Sequence, residues 1–416
     1  MDQTTHWVHT WAAMPMRSEP DKLPPKEFTR DTIIFHNTTI RQTVKITLGT
    51  EKLFRLRLSN AFGTDDLTVN QITVALAKNN LSGTTKIEAH TLQNVTFDGG
   101  LVTTTIVGGA QAVSDPIDFG FPLSPNTVLS ISLFLENGQY SKTGITSHPG
   151  SRTTSFCSLG NYVSEPELTD PSVQEVEHWF YISGIEVLAP RESCAFVIIG
   201  DSITDGRCST TNGNDRWPDL LFTRLQSNPA TASISILNQA AGGNRILADG
   251  IGPNVLSRLD RDVLSQSGVK YVLIFEGVND IGTAEANEES QAMIGDRIIA
   301  GYRQVATRVH AHGISIFAAT ITPFGLRKEE HVVDAEAEGI TGYANPIREP
   351  TRQRVNEWIR SSGVFDAVID FDQVLKDEEE SGVLRREFDS GDRLHPNTLA
   401  FKALADFFPL EVFDGV

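Results

Sequence analysis

Asp392 and His395, three apart in Asp389-Ser390-Gly391-Asp392-Arg393-Leu394-His395-Pro396-Asn397, can do acid–base chemistry as a pair. In a turn or at a helix entry this spacing brings the carboxylate to the imidazole Nδ1, fixes the tautomer and leaves Nε2 to take a hydroxyl proton. A hydroxyl in a fitting place is Ser202, in Ile199-Gly200-Asp201-Ser202-Ile203-Thr204-Asp205-Gly206, just past an apolar run and near a glycine that permits a tight turn. Alone, this run is a weak signal and reads first as a helix cap. Thr204 stands two residues after it, so this is not the Gly-x-Ser-x-Gly elbow of the α/β-hydrolases. Asn238-Gln239-Ala240-Ala241-Gly242-Gly243-Asn244-Arg245 offers backbone N–H groups that could face a ligand, or a plain tight turn. Phe275-Glu276-Gly277-Val278-Asn279-Asp280 carries, at Asn279, a side-chain amide that could donate to an oxyanion or close an Asx-turn. Together they supply a nucleophile, a base with its orienter, and donors for a developing negative charge, the parts of covalent acyl transfer without a metal or organic cofactor.

Each of these stretches follows an apolar run or sits in a loop near one. After Pro190 the runs Ala195–Ile199, Ser233–Leu237, Lys270–Phe275, Ile314–Ala319 and Ala367–Phe371 alternate with helical patterns beginning at Trp217 and over about 253–266, 289–311, 348–361 and 397–407. Such alternation predicts a parallel sheet covered on both faces, with function at the carboxyl ends of its strands. Before Pro190 the pattern differs. Thr32–Phe35, Ile40–Leu48, Phe54–Leu58, Leu67–Leu76, Val102–Val107 and Val128–Leu135 are β-rich runs punctuated by Gly, Asn, Asp and Pro, without helices between them. They predict an antiparallel sandwich of jelly-roll type.

Length and composition narrow the partners. A chain of 416 residues is long enough for two or three domains, and a net charge of −18 repels a polyanion, so nucleic acid is not an expected partner. No run approaches the roughly 18 to 20 apolar residues of a membrane span. Three cysteines, Cys157, Cys194 and Cys208, make neither a disulfide scaffold nor a zinc knuckle. His310 and His312 read as a helix end before Gly313 rather than a metal site. Met1–Pro15 shows no signal peptide, while three sequons at Asn37, Asn80 and Asn94 fit secretion, so secreted and cytoplasmic placement both stay open.

The four blocks Gly200-Asp201-Ser202, Gly243, Gly277-Val278-Asn279-Asp280 and Asp392-Arg393-Leu394-His395-Pro396 resemble those of the SGNH hydrolase, or GDSL-type esterase/lipase, superfamily over about 195–408. The resemblance implies a flavodoxin-like three-layer α/β/α domain at 191–416. Residues 1–190 resemble the β-sandwich fused upstream of some of these hydrolases, through His6–Ala13, Ile40–Val44, Arg55–Gly63 and His178–Tyr181. By matching position, Ser202 is implied as nucleophile, His395 as general acid and base, and Asp392 as its orienter. The Ser202 and Gly243 backbone N–H groups and the Asn279 side chain are implied as the oxyanion hole. Gly243 is preferred to Gly242 because it lies five residues after Asn238, as the family's pattern runs. The eponymous leucine is replaced by Ile203, a conservative apolar change that puts nothing catalytic in doubt.

The expected function is a serine esterase acting through an acyl-enzyme on small-molecule or carbohydrate esters, with acetyl or short-to-medium acyl groups. The same triad would serve an acyltransferase or a polysaccharide deacetylase, and a carbohydrate-binding protein on a hydrolase scaffold is the non-enzymatic alternative. The connection 322–346 is expected to be either an active-site lid or a surface insertion, and Trp217 either a pocket wall or core. Nothing in the sequence speaks to oligomeric state.

Overall fold

In a computed structural model of the protein, described over residues 4–18, 22–328 and 340–414, the chain divides into two compact units, Met1–Cys194 with Thr211–Gly213 and Ala195–Thr210 with Asn214–Val416.

The first unit is built on antiparallel sheets. One runs in the order β1 (Thr5–Ala12), β10 (Ile182–Pro190), β3 (Leu53–Ser59), β6 (Gln111–Val113). The other orders β9 (Gln174–Val176), β8 (Ser155–Leu159), β2 (Thr38–Lys45), β7 (Val128–Leu135), β4 (Gln71–Leu76) and β5 (Gln93–Asn94). Alternation in β3 sorts its side chains: Phe54, Leu56 and Leu58 are buried, while Arg55 and Arg57 both reach Glu186 on β10. The run expected as one strand over 67–76 breaks at Asn70. Leu67–Val69 pairs with Thr104–Ile106 whereas β4 pairs with β7, and at the break the Asn70 side chain accepts the Glu136 N–H. A change of strand partner leaves no mark in local β-propensity, which is why the run reads as continuous.

Arg41 on β2 is fully buried. Its Nε donates to Ser132 Oγ at 2.9 Å, and its terminal nitrogens donate to the carbonyls of Thr85, Tyr162 and Glu165 at 2.6, 3.2 and 2.8 Å. One guanidinium therefore ties two loops to the sheet. Arg41→Leu is expected to lower the stability of this unit by roughly 3 kcal/mol, because the loop carbonyls lose their donors without gaining water. The check is the urea midpoint, which should fall at unchanged slope.

The second unit is a doubly wound sheet. Its strands β11 (Cys194–Gly200), β12 (Ile234–Ala240), β13 (Val269–Phe275), β14 (Ser315–Ala319) and β15 (Ala367–Ile369) stand in the order β12-β11-β13-β14-β15. The pairs β11–β13, β13–β14 and β14–β15 are parallel. This is the flavodoxin-like order, with its switch point beside the first strand. Every residue of β11 and β14 is buried, as strands covered on both faces must be. The helices are α1 (Ser202–Asp205), α2 (Trp217–Ser227), α3 (Val255–Leu259), α4 (Val278–Thr283), α5 (Glu288–His310), α6 (Ile340–Tyr343), α7 (Glu349–Ser361), α8 (Phe371–Leu375) and α9 (Thr398–Phe407). The helix expected over 253–266 is α3 continued by one π-turn over Asp260–Leu264, and the strand expected to Phe371 ends at Ile369, where Asp370 caps α8. His310 ends α5 and bonds Asp366 at 2.9 Å, with Gly313 in the left-handed region at φ +68°. Of the connection 322–346, residues 329–339 lie outside the described residues.

Candidate active site

The carboxyl end of β11 presents Ser202. Gly200 is needed there, since a Cβ on it would lie 2.5 Å from the Thr204 Cβ. Asp201 takes the N-cap position and accepts the Ile203 N–H at 2.9 Å, so Ser202 opens α1. The helix-cap reading of this turn is thus met by Asp201. Ser202 itself faces His395: Oγ lies 2.8 Å from Nε2, and both residues are buried.

His395 comes from a loop held at both ends. Asp389 accepts the Gly391 and Arg393 N–H groups, and Asn397 caps α9 through Ala400 N. Between them Asp392 folds back on the next turn. Its Oδ1 accepts the N–H groups of Leu394 and His395 at 3.1 and 2.8 Å, and its Oδ2 accepts from His395 Nδ1 at 2.7 Å. Burial works against the Asp392 charge. The His395 ring and backbone N–H, with the Leu394 N–H, outweigh it and hold the carboxyl well below the usual carboxylate range. Arg207, just beyond α1, stands 3.9 Å from the same Oδ2.

The loop after β12 packs against α1. Ala241 N donates to Gly200 O, and Asn238 Nδ2 to Thr204 O. Gly242 N–H is taken by Asp205 Oδ2 at 3.0 Å. Gly243, at φ +73° in the left-handed region, has no hydrogen-bond partner for its N–H among the described residues. Asn279, in the first turn of α4, donates from Nδ2 to Asn244 O at 2.9 Å, while its Oδ1 accepts from Tyr343 OH at 3.2 Å. The serine, the glycine loop and the asparagine are thereby joined through α1 and Asn244.

Sequence reasoning left out the carboxyls around this turn. Asp280 accepts the Ile246 and Leu247 N–H groups at 2.9 and 3.0 Å, holding the far side of the glycine loop. Its signal was available, as it directly follows Asn279. Burial pushes Asp280 up to about 6 against those two N–H bonds. Burial likewise pushes Asp201 up to about 7 against the Ile203 N–H, with the Asp280 and Asp205 charges adding to the rise. Glu276 is fully buried, neither of its side-chain oxygens has a hydrogen-bond partner among the described residues, and Arg258 Nη2 lies 3.9 Å away. Burial, then Asp201, raises it well above the ordinary carboxylate value. Trp217 is core, not pocket wall. It is fully buried, meets Phe371 edge-on at 5.3 Å and donates from its indole to Thr204 Oγ1. Among the described residues no group of three or more His, Cys, Asp or Glu is arranged to hold a metal ion, and no helix is long and apolar enough to cross a membrane.

The strand order is flavodoxin-like, and at its carboxyl edge a serine, a histidine and an aspartate are joined by hydrogen bonds. Residues 196–408, just over half of the chain, match the GDSL-like lipase/acylhydrolase family. The chain belongs to that family and is a carboxylic ester hydrolase, joined to an N-terminal β-sandwich. Among solved structures it is similar to a GDSL-like lipase from Bacteroides thetaiotaomicron VPI-5482, at 16% identity over 51% of this chain and 84% of that one, with a TM-score of 0.36. It is also similar to an acetylxylan esterase from Geobacillus stearothermophilus, at 18% identity over 54% and 96% of the two chains, with a TM-score of 0.38. No curated protein matches it.

Proposed function

We propose that the protein is a serine esterase that works through an acyl-enzyme on Ser202. The observation that carries this reading is the unbroken chain Ser202 Oγ, His395 Nε2, His395 Nδ1, Asp392 Oδ2, with links of 2.8 and 2.7 Å. Ser202 Oγ attacks the ester carbonyl as His395 Nε2 takes its proton, and His395 then returns that proton to the departing alkoxide. Water, deprotonated by the same nitrogen, releases the acid and restores the serine. The carbonyl oxygen, negative in the tetrahedral intermediate, is received by the Ser202 and Gly243 N–H groups and by the Asn279 Nδ2 hydrogen not used by Asn244. Acetyl or short-to-medium acyl esters of small alcohols or sugars are the substrate class. In support, the Ile251 side chain stands over Gly243, where a Cβ would come 2.9 Å from its Cδ1, and it is 45% exposed, one aliphatic wall beside the proposed hole.

Asn279→Ala removes one oxyanion donor and is expected to lower kcat by about 10²–10³ with little change in KM. The test uses p-nitrophenyl esters of increasing chain length. The parent should be fastest on the short and medium members, and the variant slowed on all of them. Unchanged turnover by the variant would remove Asn279 from the hole, and fastest turnover on long acyl chains would overturn the substrate class.

A further inference from the structure

We propose that Tyr343 is a positioning residue for the oxyanion hole: its phenolic hydroxyl, bonded to Asn279 Oδ1 at 3.2 Å, holds the amide so that its second Nδ2 hydrogen faces the carbonyl oxygen under attack. The inference rests on the role proposed above for Asn279 and adds to it a residue outside the four motif blocks.

A primary amide has two N–H donors and one oxygen. Asn244 O can only accept, so its 2.9 Å bond settles which end of the Asn279 amide is nitrogen and uses one of the two hydrogens. A single bond still lets the amide swing. The second bond, from Tyr343 to Oδ1, fixes the plane and leaves one N–H without a partner among the described residues. Donation to an amide oxygen also draws electron density from the nitrogen, so the remaining N–H becomes a better donor. An oxyanion hole works because its dipoles are aimed before charge develops, and this bond supplies the aim.

The tyrosine is seated for the task. Its ring lies against Gly282, where a Cβ would come 2.1 Å from Tyr343 Cδ1. Gly282 is three residues beyond Asn279 on the same face of α4. Burial raises the phenol above its ordinary value, so the hydroxyl keeps its proton and remains a donor. Tyr343 also borders a cavity lined by Phe324, Ala344, Pro346 and Val383. A residue serving only as a wall of that cavity would leave the chemical step unchanged.

Tyr343→Phe keeps the ring on Gly282 and deletes only the hydroxyl. In p-nitrophenyl acetate turnover by the full chain, it should lower kcat about tenfold with KM within about twofold, the size of effect expected for one lost hydrogen bond. In an Asn279→Ala background the same change should cost nothing further, because the group it positions is gone. A kcat within about twofold of the parent, an effect confined to KM, or an equal loss in the double variant would each overturn the proposal. Ser202→Ala and Asn279→Ala, run alongside, keep the failures apart. Full activity in either fells the underlying assignment, whereas their loss together with an unaffected Tyr343→Phe fells only the role of Tyr343.

Discussion

Ser202→Ala is expected to reduce ester turnover by roughly 10⁴–10⁶-fold, leaving only what the hole and substrate binding supply. The substitution removes the Oγ that lies 2.8 Å from His395 Nε2 and nothing else that orders the site. Asp392 still holds His395 through two bonds that do not involve the serine. Asp201 still caps α1, so the fold and the hole persist and the loss falls on kcat. The measurement is p-nitrophenyl acetate turnover paired with fluorophosphonate labelling, which should modify the parent and spare the variant. Activity within a few-fold of the parent would remove Ser202 as the nucleophile and the acyl-enzyme with it. Labelling of the parent would also exclude the alternative of a binding protein on an inert hydrolase scaffold.

Asp392→Asn is expected to lower kcat by about 10³–10⁴ while preserving the loop. An asparagine Oδ1 can go on accepting the Leu394 and His395 N–H groups, as Asp392 Oδ1 does. Its nitrogen then replaces Oδ2 opposite His395 Nδ1 and donates where the carboxylate accepted. The imidazole is driven to the tautomer with its proton on Nε2, which cannot take the serine proton. The pH dependence follows from the same bonds. Because the Asp392 carboxyl is held well below its usual range, it stays ionised in mild acid. Its contribution to stability is present above the unfolded value of about 4 and is lost only as pH falls through the lower folded value. Protonation of Asp392 therefore contributes no acid limb to kcat/KM above about pH 4.

Much of this was legible in local sequence, for a physical reason: apolar periodicity and turn chemistry are short-range signals. The five strands of the second unit lie within a few residues of their expected positions, since short apolar runs between helical patterns mark the strands of a parallel sheet. The Asp392–His395 contact was legible because both partners sit in one turn, where the chain cannot carry them apart. The preference for Gly243 over Gly242 came from the spacing of the family's pattern, without its physical reason. That reason depends on Asp205, 37 positions away, engaging the first N–H and leaving the second unbound. Nor could any window around Asn279 announce Tyr343, whose hydroxyl arrives from 64 positions further along. The break at Asn70 was hidden, and the choice between wall and core for Trp217 left open, for the same reason, since a strand's partner and a tryptophan's neighbours belong to other segments.

From the order of residues alone came the two architectures, the chemical types at the carboxyl edge and the pairing of an acid with its imidazole. Folding decided which amide hydrogens are consumed by the protein and which are left over for a ligand. Hydrogen bonds depend on fractions of an ångström between groups, and for groups far apart in the chain only the packed sheet and helices set those distances.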